Sequence, residues 1–335
     1  MYLPSAVYHE RYRQDHAWWQ TVFVRGKMAL MFLLLLVAIP ATGSLYLLSV
    51  ANVIGYTILS AMGVQLLIGY CGQITLGHAA FIAVGAYVSA IAMLQYGIGY
   101  AVSLLLAAVA AGLWSVLFGL PSARVKGFYL IMATMAAQFI TVDFLITQYV
   151  SQIGGRGHYF SLPPGTITIG PWVIDSDVKV YYLMVLLVTL SHLGMANLLR
   201  TRIGRAWIAI RDNDVAAEAM GVNIVWYKLL AFFVSPEHFE FSWSLWLVGV
   251  ILIGGVGSLH GTVFGAMFIT LLLEGLKFAV IPLSEVFPAL SEKFLNVKEA
   301  AFGLAIVLFL LYEPKGLAYR WEQMKNYFNL WPFSY

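Results

Sequence analysis

The sequence predicts an all-α integral membrane protein, a polytopic helical bundle with broken helices and about nine or ten spans. Three observations carry this. Of 335 residues, 61% are hydrophobic and only 10% are charged, and the formal net charge is +3, whereas soluble domains carry about 25% charged residues. Mean hydropathy is +0.82. The apolar residues gather in continuous runs near the ~20 residues that a helix needs to cross ~30 Å of hydrocarbon. These runs fall at about 28–48, 51–70, 79–97, 100–120, 128–149, 180–199, 243–259, 262–282 and 300–312. They do not alternate, so lipid-exposed strands are not expected.

The first run follows a polar arm, Met1 to Lys27, and lacks a small-residue cleavage site, so it reads as a retained span. The chain divides into an arm at 1–27, a transmembrane domain at 28–317 and a tail at 318–335. Arg11, Arg13, Arg25 and Lys27 precede the first run, Arg124 and Lys126 follow the fourth, and Arg200, Arg202, Arg205, Arg211 and Lys228 follow the sixth. Lys315, Arg320 and Lys325 follow the last. The positive-inside bias places these loops and both termini in the cytoplasm. Loops 150–179 and 283–299, with Asp175, Asp177, Glu285, Glu292 and Glu299, are expected outside.

The count of crossings fails in one place. Lys228 and Lys315 belong on the same side, yet three complete runs separate them. Leu229 to Ser235 is only the stub of a further span, so a span is expected to be missing between Ser235 and Pro236. The alternatives are a natural deletion and a re-entrant half-helix.

Three segments exceed generic spans. From Gly69 to Gly85, glycines including Gly72 and Gly77 and the polar residues Gln73, Thr75 and His78 interrupt the apolar pattern. A helix broken within a membrane leaves backbone groups that only protein or a wet path can satisfy. This segment is a candidate translocation-path element, or a tight helix–turn–helix with His78 hydrogen-bonded to a carbonyl. From Arg200 to Lys228, Asp212, Asn213 and Asp214 suit a helix start, Val215 to Met220 a short amphipathic helix and Gly221 a stop. It reads either as a docking knob for a cytoplasmic partner or as an interfacial helix anchored by Trp207 and Trp226. Third, Gly257, Gly261 and Gly265 recur every four residues, a stripe for close helix packing, while Gly254 and Gly255 with Gly257 are expected to break the helix.

The composition and motifs exclude other classes. The single cysteine, Cys71, rules out a disulfide framework and a cysteine-based zinc or iron–sulfur site. The cations are spread over loops, which argues against nucleic acid as a partner. The seven histidines lack metal-site spacing, and no phosphate-binding Gly-x-x-x-x-Gly-Lys-Ser/Thr loop occurs, so neither cofactor nor intrinsic ATP hydrolysis is expected. Asp143 lies inside the 128–149 run, where an acid is costly, and makes a proton-coupled secondary transporter the second hypothesis. A purely structural membrane subunit is a third.

The segments GYCGQITLGHAAFIAVGAYVSAI, RVKGFYLIMAT, GRAWIAIRDNDVAAEAMGVNIVWYKLLAF, SPEHFEFSWS, LIGGVGSLHGTVFGA and LYEPKGL stand in this order. Together, over residues 50–317, they resemble the permease family of branched-chain amino-acid ABC importers, LivM-type subunits in particular. The resemblance implies a second homologous permease subunit, two ABC ATPase subunits and a periplasmic or extracytoplasmic substrate-binding protein, all at a bacterial inner membrane. It implies an ATPase-coupling loop at Ile210 to Gly221, which contains Arg211 and Asp212 and has Asp214, Ala217 and Gly221 on characteristic positions. It also implies a broken helix over Gly69 to Gly85, and a small-residue-rich span where Ser235 here runs straight into Pro236. The sequence departs from the family at Gln152 to His158, where Arg156 and His158 replace small residues, and in the length of its arm. Alternating access with weak, apolar membrane sites is the mechanism expected, with branched-chain amino acids leading urea, short amides and aromatic acids as substrates.

Overall fold

The chain's structure is a computed structural model, which describes residues 22–122, 127–142, 148, 166–169, 172–233, 241–286 and 294–330. Among these it is helical almost throughout. Among its regular elements the exception is an antiparallel hairpin, β1 (Thr168–Ile169) with β2 (Trp172–Val173), inside the loop expected at 150–179.

Helix α1 (Val22–Leu33) runs through a π-helical turn, Leu34–Ala38, into α2 (Ile39–Ala41). The run expected at 28–48 is therefore cut short. Gly43 takes φ of 62° and Ser44 caps α3 (Leu45–Val64) by accepting the Leu47 N–H at 3.4 Å. Stop and start signals sit inside an apolar stretch, where a hydropathy count reads past them. Helix α3 continues through a second π-helical stretch, Gln65–Tyr70. Next come α4 (His78–Leu94), α5 (Tyr100–Ser122), α6 (Phe128–Phe139) and α7 (Asp177–Arg200). Ser176 caps α7 by accepting the Lys179 N–H, and the Lys179 ammonium, 2.6 Å from Asp175, holds that carboxyl below its ordinary range.

Three short helices follow: α8 (Arg202–Asp212), α9 (Asp214–Ala219) and α10 (Ile224–Phe233). The chain closes with α11 (Phe241–Gly254), α12 (Leu259–Val286), α13 (Phe294–Tyr312) and α14 (Gly316–Leu330). Helices α12 and α13 take up most of the loop expected at 283–299, Glu285 and Glu299 included. Glutamate and lysine are good helix formers, so helices outlast their apolar stretches.

Among the described residues, four helical stretches are long and apolar enough to cross a membrane: Leu45–Tyr70, Tyr100–Leu120, Asp177–Arg200 and Leu259–Val280. Helices α13 and α14 form a fifth candidate, bent by 47°. Shorter apolar helices occur at Ala29–Ala41, Ala80–Leu94, Phe128–Val142 and Ser244–Gly254. The expected junction between Ser235 and Pro236 lies outside the described residues. The structure does place α10 before that junction, with Lys228 inside the helix and not ahead of it. At 10 residues it is ~15 Å long, about half of the hydrocarbon thickness. Among the described residues, α10, α11, α12 and α13 stand between the knob and Lys315.

Two apolar clusters hold the bundle. One joins α3, α11, α12 and α13 through Ile58, Met62, Leu247, Ile251, Ile269 and Ala305. The other joins the π-helical end of α3 to α4, α6, α8 and α10 through Leu66, Leu67, Phe81, Leu130, Trp207 and Phe232. The outer faces are apolar as well: Leu33, Leu105, Leu186 and Leu311 are all more than half exposed, the pattern of a bundle solvated by lipid. Between α11 and α12 the contact is backbone on backbone. A β-carbon at Gly254 would lie 1.9 Å from the Gly261 carbonyl oxygen, and one at Gly265 would lie 2.1 Å from that of Val250. Gly257 is not on this stripe. It sits in the turn before α12 with φ of 80°, because the helix stops at Gly254 and restarts at Leu259.

Candidate functional site: two helix breaks meet an exposed helical knob

The first break begins where α3 widens into its π-helical stretch. The Cys71 N–H bonds the Leu66 carbonyl at 3.0 Å, Gln73 N–H bonds Leu67 at 2.9 Å, and Gly72 takes φ of 69° to close the end. The chain then runs without regular structure until His78 starts α4. This segment is held by α6: the Leu76 N–H donates to Thr134 Oγ1 at 3.2 Å, and a β-carbon at Gly77 would fall 2.2 Å from the Thr134 carbonyl oxygen. His78 is 1% exposed, with its ring Nε2 2.5 Å from Thr75 Oγ1. Gln73 is 2% exposed, and its amide atoms have no nitrogen or oxygen partner among the described residues; the Cys71 thiol lies beside them.

The knob is built from α8 and α9. Helix α8 is amphipathic, and its apolar face buries Ala206, Trp207 and Ile210. Trp207 is fully buried and donates its indole N–H to the Tyr227 carbonyl at 2.7 Å, so it does not act as an interfacial anchor; Trp226 is 62% exposed. Asn213 caps α9 by accepting the Ala216 N–H at 3.1 Å. At the other end Gly221, with φ of 85°, gives a Schellman closure: Val222 N–H to the Ala217 carbonyl at 3.0 Å and Gly221 N–H to that of Glu218 at 2.9 Å. Ala217 faces inward, 4% exposed, while Val215 and Met220 are 69% and 85% exposed. Asp214 opens the helix and is half-buried; Asp212 is exposed.

Knob and breaks converge on Arg211. Its Nη1 donates to the Gly69 carbonyl at 2.9 Å, while Nε and Nη2 donate to Asp212 Oδ1 at 2.9 and 2.8 Å. The last carbonyls of a helix lack intrahelical donors, and a cation there also meets the negative end of the helix dipole. Gly72 underlies the Arg211 backbone: a β-carbon on it would lie 3.2 Å from Arg211 Cα. The second break arrives from α11 and α12, and a β-carbon at Gly257 would stand 3.1 Å from Arg211 Nη1. Gln65, a residue the sequence does not single out, ties the breaks together by donating its amide to the Gly255 and Ser258 carbonyls at 3.0 and 2.9 Å. A cavity of about 420 Å³ opens beside the joint, lined by Cys71, Gly72, Gln73, Arg211, Asp214 and Lys228 among others.

Thus Gly72, Gln73, Arg211, Asp212, Asp214 and Gly257 come together, with Gly77 and His78 at the far end of the first break. Gly261 and Gly265 lie away from this joint, in the α11–α12 contact. Asp143 and Gln152 to His158 lie outside the described residues. The structure also brings together His192 and His260, ring centroids 5.5 Å apart, a contact between α7 and α12 that their 68-position separation hides. Among the described residues no group of three or more metal-ligating side chains occurs.

Residues 46–310 match the family described as branched-chain amino acid transport system, permease component. The chain belongs to this family. The permease is 27% identical to two proteins named high-affinity branched-chain amino acid transport system permease protein LivM, one from Salmonella typhimurium and one from Escherichia coli. Each match covers 88% of the permease and 75% of the relative. No solved structure matches it. It is therefore a multi-pass membrane permease, a transport component.

Proposed function

We propose that this permease is the transmembrane subunit of an ATP-driven importer of branched-chain amino acids, working by alternating access. One observation carries the reading: the exposed, doubly capped helix α9 is joined through α8 and Arg211 to both helix breaks. Val215 and Met220 offer an apolar surface for an ATPase subunit, while Ala217 seats the helix on the permease. Both termini and the knob face the cytoplasm, in accord with the basic residues from Arg200 to Lys228 and from Lys315 to Lys325.

The partners are a second homologous permease, two ABC ATPases and a substrate-binding protein that docks outside, on a surface including β1 and β2. ATP binding draws the ATPases together, α9 moves with them, and the path between the two permeases opens. The membrane stretches hold substrate weakly, because the binding protein supplies selectivity. The names of the relatives, the exposed knob and the buried glycine-built breaks all support this account.

Uptake of radiolabelled leucine into proteoliposomes holding the assembled complex tests it. Uptake should require both ATP and the cognate binding protein, and unlabelled isoleucine and valine should compete. Uptake driven by a proton gradient without ATP would overturn the reading in favour of a secondary transporter.

A further inference from the structure

We infer that Gln65 and Arg211 are positioning residues of one joint that makes the two helix breaks, Gly69 to Gly77 and Gly254 to Leu259, move as a single body with the knob. The inference rests on the importer reading above and names the side chains through which the motion passes.

The geometry leaves little freedom at this point. Two backbone segments meet where glycine is needed: a β-carbon on Gly69 would lie 2.7 Å from the Gly257 nitrogen, and one on Gly257 would lie 3.3 Å from the Gly69 oxygen. Arg211 closes the gap from the knob side. Asp212 holds two of its nitrogens and so aims Nη1 at Gly69, an orientation a lysine ammonium cannot reproduce. Gln65 closes the gap from within α3. Its amide nitrogen spans two carbonyls on either side of the α11–α12 turn, 190 and 193 residues away in sequence. Neither break can shift alone without parting these bonds, of which the one from Gln65 to Gly255 is buried and therefore costly to leave unmade.

The test is the number of ATP molecules hydrolysed per leucine imported, measured in proteoliposomes holding the full complex with its binding protein. Arg211→Gln and Gln65→Leu should each raise that ratio about fivefold or more, the scale of a lost site-to-site coupling. Arg211→Lys should recover part of the loss, because the charge still reaches the Gly69 carbonyl without the Asp212 brace. The double variant should be no worse than the poorer single one, as expected when two residues serve one device. Unchanged ratios in the single variants, or losses that add in the double, would overturn the inference. Failure of the importer reading would look different: the unsubstituted complex would show no ATP-dependent uptake at all.

Discussion

A β-carbon at Gly254 would lie 1.9 Å from the Gly261 carbonyl oxygen, a distance no side-chain movement can relieve because both atoms belong to backbone. Gly254→Ala should therefore force α11 and α12 apart and destabilise the detergent-solubilised permease by about 1–3 kcal/mol, the usual cost of overpacking. Gly303→Ala, with open space around it inside α13, is the matched control and should leave the melting temperature unchanged or raise it slightly, since alanine is the better helix former. Equal melting of the two variants would sink the argument. At Gly221 the cost has another origin. Its β-carbon would meet nothing, but its φ of 85° is strained for any L-residue and most of all for a β-branched one. Gly221→Val should lose the helix stop and lower leucine uptake, while the protein still inserts into the membrane.

Helix α9 is six residues long, far below the length at which an isolated helix is stable in water, so its ends hold it. Removing the Asn213 side chain with Asn213→Ala should cost about 1 kcal/mol, read as roughly fivefold faster amide exchange at Ala216 and Ala217. Exchange unchanged within a factor of two would show that packing of Ala217, not the cap, holds the knob. The elements that were legible in the sequence share this local character. Asn213, Gly221, Gly72 and Gly254 are stop and start signals that act within one turn, so apolar runs and punctuation reveal the breaks and the knob. The joint between them was not legible. Gln65 reaches carbonyls 190 residues away, and no pattern around it distinguishes this from an ordinary glutamine near a helix end. The π-helical stretches at Leu34–Ala38 and Gln65–Tyr70 also escape, since a widened turn leaves composition and periodicity almost untouched.

Across the whole molecule, the contacts gather the Tyr70 end of α3, the Arg211 end of α8, the Gly257 turn and the Gly316 turn at one end of the bundle, because Gly316 packs on Gly255. We propose, from the positive-inside bias, that this end faces the cytoplasm and that the hairpin of Trp172 and Val173 faces the other side. In a Cys71→Ala background, Trp172→Cys should react with a membrane-impermeant thiol reagent applied from outside. Met220→Cys should react only in inverted vesicles. Labelling of both from the same face would show that this assignment of sides is wrong.

The widened turn in α1 has a consequence for how the chain is made. Tyr181 and Tyr182 donate their hydroxyls to the Leu35 and Leu36 carbonyls at 2.7 and 2.9 Å, across 146 positions of sequence. Until the ribosome has delivered those tyrosines, the loosened carbonyls of the first helix have no such donors in a solvent that offers none of its own. At bacterial elongation rates of about 5–20 residues per second, that interval is roughly 7–30 s. A nascent α1 held near the insertion machinery or beside water over that interval, and released into lipid when α7 arrives, is the behaviour expected from these two bonds.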